Sequence, residues 1–151
     1  MLITEPQATS SVAQLIQLAV GPVFLISGVG VTLNVLTSRL ARIVDRARSV
    51  EAELESATDA TRISGFERSL RVAAKRARLI NAAVTLAAAS ALLTTIVVVM
   101  LFSSAFLPFD FSFAIAAMFV GAMICLAIAY LVFLVEVRVS TATLRIGGRV
   151  T

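Results

Sequence analysis

Three long apolar runs dominate the pattern of this chain: roughly Val12 to Ser38, Leu79 to Leu107 and Phe111 to Val135. Each exceeds the ~20 residues that a helix needs to cross a bilayer. Between the first two runs the pattern changes to apolar positions three and four apart. Leu40, Ile43, Ala47, Val50, Leu54 and Ala57 make one seam; Ile63, Phe66, Leu70, Ala73, Ala77 and Ile80 make a second. Thr58-Asp59-Ala60-Thr61 separates them with turn composition. The pattern predicts an all-α membrane protein with a single membrane domain. Its spans cover about 12–38, 79–107 and 111–135. The first two helices extend into a cytoplasmic antiparallel helical hairpin, coiled-coil in character, at about 39–78. A cytoplasmic tail occupies 136–151.

Local signals refine the ends. Ser11 with Gln14 fits a capping box, which places the first helix start at Ser10 or Ser11. Gly21-Pro22 predicts a kink, because proline removes a backbone donor and crowds the preceding turn. Ser64-x-x-Glu67 is a second capping box, so the returning arm is expected from about Gly65 and to run unbroken to Leu107. Pro108 ends it. The short Phe109-Asp110 turn makes spans two and three antiparallel neighbours, with Asp110 placed to cap the third helix or to attract cations.

Charge orients this arrangement. All 13 Lys and Arg residues fall between the first two runs or after the third, and none lies in the N-terminal arm or the Pro108–Asp110 turn. Basic loops stay in the cytoplasm, so the N-terminus is expected outside and the C-terminus inside. Met1 to Ser11 carries Glu5 and no basic residue, which does not fit a cleavable signal peptide.

Composition agrees. The 151 residues are 59% hydrophobic, with a mean hydropathy of +0.97, whereas soluble domains have about 45–50% apolar residues. The pI of about 10.6 and the net charge of +4 follow from the basic loops, so nucleic acid is not an expected partner. There is no His and a single Cys, Cys125, so neither a Cys/His metal site nor an internal disulfide can be built, and no cofactor is expected. No nucleophile–base pair, HExxH or P-loop is present. Gly28-x-Gly30 lacks the strand–helix setting of a dinucleotide fingerprint, and an enzyme is not expected.

Three groups of residues are candidates for function. Ser27, Gly30, Asn34 and Thr37 share a face of the first span. An amide such as that of Asn34 is not tolerated against lipid, so it faces another helix, a cavity or water. Both a helix–helix hydrogen bond and a pore lining satisfy it. Arg39, Arg42, Arg46 and Arg48 on one arm, with Arg71, Lys75, Arg76 and Arg78 on the other, form a basic cluster beside the membrane. It suits topology and anionic headgroup contact, a specific anion, or the mouth of an exit path. Asp45 is expected to pair with Arg42 or Arg48, Glu51 with Arg71, and Glu136 to snorkel or pair beside Arg138. Ala117, Gly121, Cys125 and Ala129 form a small-residue stripe for helix packing on the third span, and Ala83, Ala87, Ala91 and Thr94 a similar one on the second. Two such faces leave one for another subunit, so a homo-oligomer is expected.

The stretches Leu15–Gly30 and Leu33–Arg48, Arg76-Ala-Arg-Leu-Ile-Asn, and Glu136-Val-Arg through Leu144-Arg-Ile-Gly resemble the bacterial membrane family catalogued as domain of unknown function 2721. The resemblance covers nearly the whole chain and implies a bacterial inner-membrane protein of three spans. Pro22, Ser27, Asn34, Arg39, Arg42, Asp45, Arg46, Arg78, Asn81 and Glu136 are among the matching positions. The resemblance implies no activity.

Together these readings point to a homo-oligomeric, small ion-conducting channel with a pore lined by the first span; the permeant ion is not legible. The alternative is a non-conducting scaffold, or a module that binds anionic lipid or a partner through its basic hairpin.

Overall fold

The computed structural model describes residues 5–55, 59–104 and 111–144. They form three helices: α1 (Glu5–Glu55), α2 (Ala60–Ser103) and α3 (Ser112–Leu144). Their 51, 44 and 33 residues correspond to ~77, ~66 and ~50 Å at 1.5 Å per residue. All three exceed the ~30 Å hydrocarbon core of a bilayer and are apolar enough to cross it. The apolar surface points outward. Only 11%, 22% and 11% of the most apolar window of α1, α2 and α3 is buried. Phe24, Val31, Leu92, Phe113 and Leu131 are all more than half exposed. Such surface suits a lipid solvent, and these are the helices of a membrane protein.

The termini depart from the expected ones in four places, one of them the end of α2, which closes at Ser103 and not at Leu107. Helix α1 starts at Glu5, not at Ser10 or Ser11. Pro6 falls in its first turn, where a missing N–H costs nothing. Helix α2 starts at Ala60, not near Gly65, because Asp59 caps it: the Thr61 N–H donates to Asp59 Oδ1 at 3.1 Å and the Ile63 N–H to the Asp59 carbonyl at 3.0 Å. Ser64 therefore lies inside the helix, its hydroxyl donating to the Thr61 carbonyl at 2.9 Å. Helix α3 continues past Val135 to Leu144, so the first part of the expected tail is helical. Ala57, Thr58, the Leu107–Asp110 turn and residues 145–151 lie outside the described residues. Helix α1 is unbroken across Gly21-Pro22, and Pro22 is buried.

The chain divides into two compact units, each built from segments of all three helices. The first combines Met1–Thr32 with Leu86–Ala127, and the second combines Leu33–Thr85 with Ile128–Thr151. In the first unit the buried side chains are mostly small: Ala19, Val29, Ala87, Ser90, Thr94, Val97 and Ala122. Lipid tails are as apolar as leucine, so burial alone does not drive helices together there; small residues act by letting backbones approach. In the second unit Leu36, Ile80, Ala83, Ala129 and Glu136 are buried.

The buried residues of α2 (Ile80, Ala83, Ala87, Ser90, Thr94 and Val97) alternate three and four apart. Those of α3 (Ala122, Ala129 and Glu136) recur every seventh position. A seven-residue repeat drifts only ~20° per step around a helix. A four-residue repeat drifts about 40° per step at ~100° per residue. The expected stripe Ala117, Gly121, Cys125 and Ala129 therefore winds off the packing face. Ala117 is exposed, Gly121 and Cys125 are half-buried, and only Ala129 is buried. A Cβ added at Gly121 would meet nothing within 4 Å. On α2, Ala83, Ala87 and Thr94 are buried and Ala91 is half-buried.

Side-chain hydroxyls bond within their own helices. Thr85 donates to Asn81 O at 2.9 Å, Thr94 to Ser90 O at 2.8 Å and Thr95 to Ala91 O at 2.9 Å. This pattern satisfies a hydroxyl without water. The Ser90 hydroxyl is buried with no partner among the described residues.

The packing face of α3 makes a contrast that thermal unfolding in detergent can read. Ala122→Leu overfills a closed position and is expected to destabilise by about 1–3 kcal/mol. Gly121→Ala, one residue away, is expected to be neutral or stabilising. Equal effects would place the helix contact elsewhere on α3.

Candidate functional site: a buried carboxylate under an arginine-lined cavity

The second unit brings five arginines and one carboxylate to the lining of one cavity. Three helices supply them. On α1, Arg39, Arg42 and Arg46 follow the apolar run at intervals of three and four, so they share a face with Ile43, Ala47 and Val50. On α2, Arg68 and Arg76 lie eight apart, about two turns, with Val72 between them on the same face. On α3, Glu136 and Ser140 are one turn apart.

Glu136 is fully buried. Its Oε2 accepts from Arg39 Nη1 at 3.1 Å, and its Oε1 accepts from Arg76 Nε at 3.1 Å and Nη2 at 2.9 Å. The one carboxylate thus joins all three helices within this unit. Isolated burial of such a charge would be prohibitive; two guanidiniums and three charge-assisted hydrogen bonds offset it. The arginines keep contact with solvent, at 35% and 27% side-chain exposure, so their own desolvation is small. Arg39 is held further by Phe133, with Cζ 5.1 Å from the ring centroid.

Above this triad lies a cavity of about 720 Å³. Arg39, Arg42, Arg46, Arg68 and Arg76 line it beside Glu136 and Ser140; Ile43, Val50 and Leu70 make an aliphatic wall. The two apolar seams read from the sequence therefore meet at this cavity. Five guanidiniums against one carboxylate leave a formal charge of +4 among the lining residues. Arg42, Arg46 and Arg68 are exposed and form no ion pair among the described residues.

The expected basic cluster is thus divided. Arg39, Arg42, Arg46 and Arg76 come together. Arg71, Lys75 and Arg78 line a separate, shallower pocket of the same unit, and Arg48 lines neither. Arg68 belongs to the site and was not singled out by sequence. Glu136 was expected beside Arg138 and is instead held by Arg39 and Arg76, because the seven-residue repeat places it on the buried face of α3. Among the described residues no ion pair joins Asp45 to Arg42 or Arg48, or Glu51 to Arg71; all five are exposed, where such pairs contribute little. The other candidate set lies on the outer surface of α1: Ser27 and Gly30 in the first unit, Asn34 and Thr37 in the second, all exposed.

Residues 19–146 match the family described as a protein of unknown function, DUF2721. The chain belongs to this family. No curated protein and no solved structure matches it. The matched DUF2721 segment contains the whole triad, the cavity and the polar face of α1.

The triad sets an order of mutational effects. Glu136→Leu removes the acceptor of three charge-assisted hydrogen bonds at once and is expected to cost about 3 kcal/mol of stability. Arg39→Leu or Arg76→Leu alone is expected to cost less, because the other arginine still holds the carboxylate. Thermal or denaturant unfolding of the three variants in one detergent reads the order. A mild Glu136→Leu phenotype would show that the carboxylate does not hold the helices.

Proposed function

We propose that this protein is a non-enzymatic, homo-oligomeric channel of the inner membrane whose ion path is lined by α1 of several copies. The observation that carries the reading is the state of the α1 polar face. Ser27, Gly30, Asn34 and Thr37 all lie exposed, and the Asn34 carboxamide has no hydrogen-bond partner among the described residues. The hydroxyls of Ser27 and Thr37 donate inward, to Val23 O at 3.3 Å and Leu33 O at 2.8 Å. Their acceptor lone pairs then line the outer face.

Ser27 and Thr37 are satisfied within α1, but the Asn34 carboxamide against hydrocarbon is costly. Water in a shared axial path, with neighbouring copies closing its sides, removes that cost. One chain of three helices encloses no path, whereas several copies of a polar-striped helix do. The uniform placement of the basic residues supports an external N-terminus and a cytoplasmic C-terminus. The arginine cluster then stands at the inner mouth, where it favours anions, while the neutral stripe itself suits either sign of ion.

The mass of the complex in a mild detergent or nanodisc, followed by flux from reconstituted vesicles, tests this reading. Four or more copies and measurable flux are expected. Asn34→Leu is expected to reduce flux severalfold while complex mass and melting temperature stay unchanged. A monomer or dimer without flux would replace the channel by a non-conducting scaffold.

A further inference from the structure

We propose that the arginine-lined cavity of the second unit is a binding site for a phosphate-bearing anion, either the headgroup of an anionic phospholipid or a soluble phosphate. The site stands on a single subunit and does not depend on the channel reading.

The argument starts from the imbalance of charge. Glu136 is fully buried and its two oxygens are taken up by Arg39 and Arg76. It therefore neutralises one of the five cavity guanidiniums, and its charge is already shared between Arg39 and Arg76. Arg42, Arg46 and Arg68 have no carboxylate partner among the described residues. Surplus cations usually stand apart in water; here three share a cavity with two more that a buried anchor fixes in place. Like charges gathered in this way repel one another unless an anion sits between them. Guanidinium groups match phosphate oxygens in planar, paired hydrogen bonds. The donors approach from α1 and α2, so an anion would be held from more than one side.

Size and wall chemistry narrow the class. A volume of about 720 Å³ is far more than a chloride ion needs and falls within the range of small-molecule sites. Part of the cavity wall is aliphatic, through Ile43, Val50 and Leu70, which suits an ester of phosphate better than a bare halide. Arg39 directly follows the first apolar run and Arg76 closely precedes the second, the sequence position of a headgroup layer. The triad gives the site its rigidity: a first pair of arginines is preorganised by Glu136, and exposed Arg42, Arg46 and Arg68 remain free to close on the ligand.

The test uses the full-length protein in phosphatidylcholine nanodiscs doped with phosphatidylglycerol. Bound phosphatidylglycerol is counted by native mass spectrometry, and inorganic phosphate and pyrophosphate are titrated in parallel. Two variants remove the same charge from different places. R42Q/R46Q/R68Q strips the cavity but spares the triad; R71Q/K75Q/R78Q strips the separate basic pocket. The cavity variant is expected to bind on the order of tenfold more weakly or worse, with an unchanged melting temperature. The control variant is expected to stay within about twofold of the parent. Lipid retention that millimolar inorganic phosphate does not displace assigns the site to a headgroup. Stabilisation by phosphate or pyrophosphate, lost only in the cavity variant, assigns it to a soluble phosphate. Equal loss in both variants would reduce the effect to diffuse surface charge and overturn the proposal, as would no binding of any of the three probes.

Discussion

The Glu136 carboxylate, held between Arg39 and Arg76, is the interaction on which the rest of the second unit depends. Elsewhere the helices meet mainly through small or aliphatic side chains, and in a lipid solvent such contacts are weak and tolerant of sliding. A carboxylate with three charge-assisted hydrogen bonds is not tolerant. It fixes the rotation of α3 and the heights at which α1 and α2 pass it. Buried ion pairs often add little net stability over an apolar replacement, but they penalise every arrangement that separates the partners. Specificity of register is therefore the natural role of this triad.

The same arrangement turns a liability into a usable feature. A basic loop beside a membrane is expected from topology alone. Here part of it is organised. Glu136 draws Arg39 and Arg76 inward, Phe133 supports one of them, and Arg42, Arg46 and Arg68 are left around a cavity with an aliphatic wall. Arg71, Lys75 and Arg78, on other positions of the same helix α2, lack that setting. Charge count alone does not separate the two groups; the buried anchor does.

Much of the architecture was legible because lipid imposes simple demands. Runs of apolar residues longer than a bilayer crossing have few alternatives, and all three were helices. The errors have local causes. Asp59 outcompeted Ser64 as a cap because it directly precedes the first helical residue, Ala60. The stripe at Ala117, Gly121, Cys125 and Ala129 followed four-residue spacing, whereas packing obeyed a seven-residue repeat that runs through Ala122, Ala129 and Glu136. That repeat was the available sign that Glu136 is interior. Its partners were harder to find. They lie 97 and 60 positions away, and a nearby Arg138 offered a plausible local substitute. Arg68 sits outside the dense arginine runs, and only the helical periodicity of α2 brings it to the cavity.

The order of the chain gives the triad a consequence in biosynthesis. Arg39 leaves the ribosome first, Arg76 follows, and Glu136 comes only with the third helix. Until then Arg39 and Arg76 lack the Glu136 carboxylate that bridges them in the finished fold. The last helix to insert carries the charge that fixes the other two.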